Sequence, residues 1–159
     1  YGLALNMTAP DSMGFLSGST LDVAYINGRD GGAVAGQSVQ NFYVGASIPV
    51  PVDKLSAGVA WDARKAGGSG NTDSVLGVYL EYAASEKLTL NLRGERVNDG
   101  PALAIGGNDS DAWDVTLTAN YALWDGVSTR LEYRMTNLDT PGAANRTSNS
   151  LFANVIYEF

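Results

Sequence analysis

The sequence predicts an all-β protein, an antiparallel, up-and-down transmembrane β-barrel with about nine strands visible in the chain. Three observations predict this fold. Apolar and polar residues alternate with a period of two through most of the 159 residues. The connections between the alternating segments are short and long in turn. Aromatic residues of the apolar face lie near the ends of the segments. Residues 1–159 are interpreted as one barrel domain.

The alternation is clearest in the second half of the chain. In 127–136, Leu131 and Tyr133 share one face and Arg130 lies on the other. The segment 19–28 is the weakest, because two apolar residues fall on its polar face. The predicted strands are 1–8, 19–28, 39–50, 54–65, 73–84, 87–98, 112–123, 127–137 and 148–159.

The connections favour a membrane barrel over a soluble one. A soluble ligand-binding barrel also alternates, with its apolar face inward, so alternation alone leaves both alternatives open. Outer-membrane barrels combine short periplasmic turns with longer outer loops. Short connections are expected at 50–54, 84–87 and 124–126, and longer ones, rich in Gly, Asn, Asp and Ser, at 28–38, 65–72, 99–111 and 138–147.

The aromatic residues of the apolar face form two groups. Amphipathic rings favour the two interfaces of a bilayer, so two aromatic belts are typical of a membrane barrel. Tyr82, Tyr121, Tyr157 and Phe159 lie toward the short-turn end, and Tyr25, Phe42, Trp61, Trp113 and Tyr133 lie toward the long-loop end.

Composition excludes several classes of protein. The mean hydropathy is -0.07, and no run approaches the roughly 18 apolar residues of a spanning helix. The formal net charge of -7 argues against nucleic acid as a partner, because phosphate binding needs a basic surface. The chain has no Cys and no His, which removes thiol chemistry and the commonest general base and metal ligand. We therefore expect no enzyme activity, no metal site and no cofactor.

The last predicted strand ends on alternating apolar residues. An ending of Tyr-x-Phe on such a strand resembles the signal that the barrel assembly machinery reads in outer-membrane proteins. The segments 87–95, 130–134 and 153–159 resemble the OmpL-like "porin 2" family. The resemblance implies a location in the bacterial outer membrane, contact with its lipid and lipopolysaccharide, and a possible homo-oligomer. The expected assembly signal comprises Leu151, Ala153, Val155, Tyr157 and Phe159.

The predicted strand count does not close a barrel of the usual kind. Bacterial barrels have an even number of strands, whereas a nine-stranded reading with Phe159 in the periplasm starts at the outer surface. Either 1–8 is not a strand and the barrel is small, or the chain is the C-terminal portion of a wider barrel. The second alternative is preferred, because 1–8 alternates cleanly and an open edge in lipid leaves backbone groups unpaired.

Charged residues of the polar face are the candidate functional residues. In a wide barrel they would line a pore for passive diffusion of small hydrophilic solutes or ions, and their mixed signs argue against strong ion selectivity. In a small barrel they would fill the interior of a non-conducting anchor, adhesin or structural surface protein. A barrel that sheathes a partner protein is a further alternative. The residues expected to face the lumen are Asp62, Arg64, Glu81, Arg93, Glu95, Asp114, Arg130, Glu132, Arg134 and Glu158.

Overall fold

The chain forms one nine-stranded antiparallel sheet in which each strand pairs with its neighbours in sequence. A computed structural model describes residues 1–29, 38–66, 72–98 and 110–158. All nine predicted strands are confirmed, with ends that differ by at most two residues. The strands are β1 (Gly2–Thr8), β2 (Thr20–Arg29), β3 (Ser38–Pro49), β4 (Leu55–Ala66), β5 (Thr72–Ala83), β6 (Leu88–Asn98), β7 (Asp111–Trp124), β8 (Val127–Asp139) and β9 (Arg146–Tyr157).

The sheet is open at both edges. Within the described residues, β1 pairs only with β2 and β9 pairs only with β8. In a meander of nine strands, the first and the last run in the same direction, so direct closure would require a parallel pair. No helix among the described residues is long and apolar enough to cross a membrane.

The two faces of the sheet differ in burial, and β7 shows the difference most clearly. Thr116 and Thr118 are 4% and 6% exposed, whereas Leu117 between them is 52% exposed. Successive side chains of a strand point to opposite faces, so the polar face is the covered, concave one. This arrangement is the reverse of a soluble barrel, in which the concave face is apolar.

No aliphatic core lies under the described part of the sheet. Its buried apolar residues are Val39, Ala63, Ala112 and Val127, and none has a large side chain. Large aliphatic residues instead lie exposed on the convex face of every strand. They include Leu5, Val23, Val44, Val59, Val78, Leu92, Leu117, Leu131 and Leu151.

Two connections differ from the prediction. The break at 9–18 contains a short 3-10 helix, Asp11–Leu16, with a kink at Gly14, where φ is 60°. The β4–β5 connection, expected to be long, covers only 67–71, because pairing continues up to Lys65 and Thr72. It is thus no longer than the β3–β4 turn at 50–54. The alternation of short and long connections is therefore less regular than expected.

The turn between β7 and β8 also changes one assignment. It has two residues, and Gly126 adopts the left-handed conformation with φ of 71°. The register shifts between Ala122 and Trp124. Leu123, expected on the apolar face, therefore falls at a bulge, and Trp124 lies exposed at 65% next to the turn.

The aromatic residues predicted on the apolar face lie on the convex face wherever the structure describes them. The register aligns Tyr25 with Phe42, whose ring centroids are 4.7 Å apart. Tyr82 and Tyr121 lie on the same face at the short-turn end. Phe159 lies outside the described residues.

Candidate functional site

The candidate site is the concave face of the sheet, which we call the polar wall. It consists of the alternate residues of each strand that lie in phase with Asp114. The residues aligned with Asp114 in one row across the sheet are Thr136 on β8 and, on the other side, Glu95, Gly77, Ala60, Gly45, Asp22 and Asn6. Because phase and register together fix the face of every strand residue, the polar wall can be assigned residue by residue.

Nine of the ten residues expected to face the lumen lie on the polar wall. Glu158 follows the end of β9 and is exposed. Its backbone N–H donates to the carbonyl oxygen of Gly126 at 2.8 Å, so it lies beside the β7–β8 turn. The nine are Asp62, Arg64, Glu81, Arg93, Glu95, Asp114, Arg130, Glu132 and Arg134.

Asp114 is the centre of a side-chain network on β6, β7 and β8. Its carboxylate accepts from Arg134 Nε at 2.5 Å, from Thr136 Oγ1 at 2.6 Å and from Thr116 Oγ1 at 2.9 Å. Arg93 Nη2 lies 3.8 Å from its Oδ1. Asp114 is 4% exposed, and a carboxylate so covered needs these partners to keep its charge.

The network continues onto β5 through Arg93 and Glu95. Arg93 Nε lies 3.6 Å from Glu95 Oε2, and Arg93 Nη2 donates to Thr116 Oγ1 at 3.2 Å. Tyr79, on β5, donates its hydroxyl to Glu95 Oε1 at 3.1 Å. Four neighbouring strands are therefore joined by charged and polar side chains across the polar wall.

A second group lies further along β7 and β8, toward the short turn. Arg130 Nη2 and Glu132 Oε2 are 2.9 Å apart, and Thr118 Oγ1 donates to Glu132 at 3.2 Å. Arg93, Arg130 and Arg134 each have a carboxylate partner. Opposite charges on this part of the wall are thus paired rather than separated into a positive and a negative stripe.

Small residues form the middle of the polar wall on β3, β4 and β5. Gly45, Ala60 and Gly77 occupy one row of the register. A Cβ placed on Gly45 would overlap the ring of Tyr43, and one placed on Gly77 would overlap the ring of Tyr79. The two tyrosines therefore lie flat along their strands, as aromatic rings do where they cover glycine in a sheet.

A cavity of about 810 Å³ lies above the polar wall. Its lining joins the small-residue part, such as Gly58, to the charged part, such as Arg130. Uncharged polar side chains also line it, among them Ser47, Ser56, Asn91, Asn120 and Asn154. The described residues contain no group of three or more Asp, Glu, His or Cys side chains that could hold a metal ion.

The sequence pattern identifies the face of each charged residue but misses how these residues meet. Asp114 stands out only when β6, β7 and β8 are aligned, because its partners come from three strands. Phe152 is an apolar residue on the polar wall, 49% exposed, and the sequence pattern did not identify it as an exception to the alternation. Register depends on turn geometry and pairing, and a period of two carries no information on it.

An open meander with an apolar convex face and a polar concave face defines the wall of a transmembrane β-barrel. Residues 17–159 match the family described as "Putative beta-barrel porin-2, OmpL-like". The chain belongs to this family of porin-like barrels, which implies an outer-membrane location and a general porin-like role. Families of this kind are typically non-enzymatic. No curated protein matches the chain.

Proposed function

We propose that the chain forms the wall of a channel for passive diffusion of small hydrophilic solutes or ions across the bacterial outer membrane. The observation that carries the proposal is the burial contrast within β7, where Thr116 and Thr118 are covered and Leu117 is exposed. A convex face of exposed aliphatic side chains is favourable in lipid and unfavourable in water. The bilayer therefore belongs on the convex side and water on the concave side.

The space above the polar wall supports a hydrated path. Its volume of about 810 Å³ is many times the roughly 30 Å³ that one water molecule occupies in the liquid. Serine, threonine and asparagine side chains in the lining exchange hydrogen bonds with water at little cost. A solute that crosses along this wall would need no chemical step, only exchange of its hydration for these groups.

A second candidate function rests on the network around Asp114. Side chains that pair across several strands are also what fills the interior of a small, closed barrel. If the completed barrel were that narrow, Arg93, Arg134 and Asp114 would block it, and the protein would act as an anchor, adhesin or structural surface protein. Conductance distinguishes the two functions directly.

The test is single-channel recording of the detergent-purified protein in a planar lipid bilayer. The proposal predicts discrete conductance steps. A matched pair of variants then identifies the wall: Ser56→Trp adds bulk to the polar wall, and Ala57→Trp adds it to the lipid face one residue later. We expect Ser56→Trp to lower the conductance and Ala57→Trp to leave it unchanged, since Trp is favourable at a membrane interface.

Folded protein that inserts into the bilayer without conducting would overturn the channel and favour the anchor. Insertion is checked independently by flotation with liposomes and by a β-type circular dichroism spectrum. Equal loss of conductance in Ser56→Trp and Ala57→Trp would contradict the assignment of the polar wall.

A further inference from the structure

We infer that Asp62 and Glu81 make the polar wall favour cations over anions; the inference rests on the proposed channel and names its preferred solute charge. Asp62 lies on β4 and Glu81 on β5, and both are exposed on the concave face. Neither has a positive partner among the described residues. Asp22, on β2, also lacks one, but its carboxylate accepts a hydrogen bond from the side-chain amide of Asn6.

The pairing of charges on the wall leads to this inference. Within the described ranges, every Lys or Arg nitrogen lies more than 4.0 Å from the carboxylates of Asp62 and Glu81. By contrast, Asp114, Glu95 and Glu132 all have arginine partners. A carboxylate paired with a guanidinium attracts a passing cation weakly, because the two charges nearly cancel at a distance.

The register neighbours of the two carboxylates supply no charge. Asp62 lies between Tyr43 and Val75, and Glu81 lies between Ser56 and Asn91. Glu81 also lines the cavity above the wall. Its oxygens, with the neutral oxygens of Ser56 and Asn91, can replace part of the hydration of a monovalent cation.

The two carboxylates are separate points along the path rather than one chelating site. Asp62 pairs in register with Val75, and Glu81 lies six residues further along β5. At about 3.3 Å per residue, the separation is about 20 Å. A cation would thus meet them one after the other, which suits diffusion, since binding at each point stays weak.

The whole wall has a modest excess of negative charge. The described strands place seven carboxylates and five guanidinium groups on it. One of these five guanidinium groups, that of Arg146, lies at the first residue of β9. An excess this small gives a preference rather than strict selectivity. Replacing Asp62 or Glu81 is therefore expected to change the preference for cations most.

The test is the reversal potential of the purified protein in a planar bilayer under a tenfold KCl gradient. Wild type is expected to pass K⁺ more readily than Cl⁻. Glu81→Gln and Asp62→Asn are each expected to lower the permeability ratio by about threefold, the effect of one charge about 7 Å from an ion at the dielectric constant of water. The control is Glu86→Gln in the β5–β6 turn, outside the strands, which should leave the ratio unchanged.

The outcomes separate this inference from the proposed function. Conductance with an anion preference, or with a ratio that neither Glu81→Gln nor Asp62→Asn moves, would overturn the inference and leave the channel standing. Absence of conductance in folded, inserted protein would overturn both.

Discussion

Two regions of the polar wall solve the same structural problem differently. On β6, β7 and β8, the wall is joined by charge, with Asp114 held by Arg134, Thr136 and Thr116. On β3, β4 and β5, the middle of the wall is made of small residues, and flat tyrosine rings cover its two glycines Gly45 and Gly77. The first region is cross-linked and the second leaves room above the sheet. Alternation decides which face is wet, whereas the size and charge of the residues aligned on that face decide what it can do.

The difference has an energetic consequence. The charged side chains of the first region are held by partners, most of them including a side chain from another strand, so removing one leaves others without compensation. In the second region, exposed carboxylates such as Glu81 are solvated and independent. Mutations in the first region should therefore mainly change the stability of the protein. Mutations in the second region should mainly change its solute preference.

The largest effect is expected on the convex face, which is in contact with lipid in both regions. Leu117→Arg places a charge on the lipid face near the middle of β7 and should destabilise the protein by about 2–4 kcal/mol. Asn120→Arg lies on the polar wall of the same strand and should cost much less. The measurement is the urea midpoint of unfolding in lipid vesicles.

Thr118, nearer in sequence, is a poor control for Leu117, because it is 6% exposed and donates to Glu132. Equal costs for Leu117→Arg and Asn120→Arg would mean that the convex face is not in contact with lipid.

The next effect tests the cross-linked region against the open one. Asp114→Asn removes the charge that balances Arg134 and Arg93 and should cost about 2 kcal/mol, less than a fully buried pair because both arginines are partly solvated. Glu81→Gln removes an unpaired carboxylate and should leave the unfolding midpoint unchanged. Similar midpoints for the two variants would show that the network contributes nothing to stability.

A smaller effect is expected at two glycines on opposite faces. Gly77→Ala would force the Tyr79 ring away from its place and break its hydrogen bond to Glu95, at a cost of about 1–2 kcal/mol. Gly94, whose Cβ position is open, should gain up to about 1 kcal/mol as Ala, because alanine orders the unfolded chain. An unaffected Gly77→Ala would contradict the packing of the small-residue region, and a destabilised Gly94→Ala would contradict the open space beside Gly94.

Strands and faces were predictable from the sequence because both follow from a period of two. Leu131, Arg130 and Tyr133 lie on the faces that their spacing predicts. The features that were missed depend on information beyond one strand. The convergence of Arg93, Thr136 and Asp114 requires the register of three strands.

Local backbone geometry explains the remaining differences. The bulge that displaces Leu123 lies beside a two-residue turn, and a pattern with a period of two gives no sign of it. The β4–β5 connection was predicted to be long because its sequence is rich in glycine. In the structure, Lys65 and Thr72 at its two ends still pair as strand residues. Composition marks a break in a sheet more reliably than it gives the length of that break.

The concave face is expected to meet water and the convex face to meet lipid. The chain has no cysteine, so single-cysteine variants from 113 to 122 can be spin-labelled in lipid vesicles without background. The measurement is the accessibility of each label to oxygen, which partitions into lipid, and to a water-soluble nickel chelate. This orientation of the two faces predicts strict alternation, with odd positions such as Leu117 accessible to oxygen and even positions such as Asn120 accessible to the chelate. Reversed alternation, or none, would contradict it.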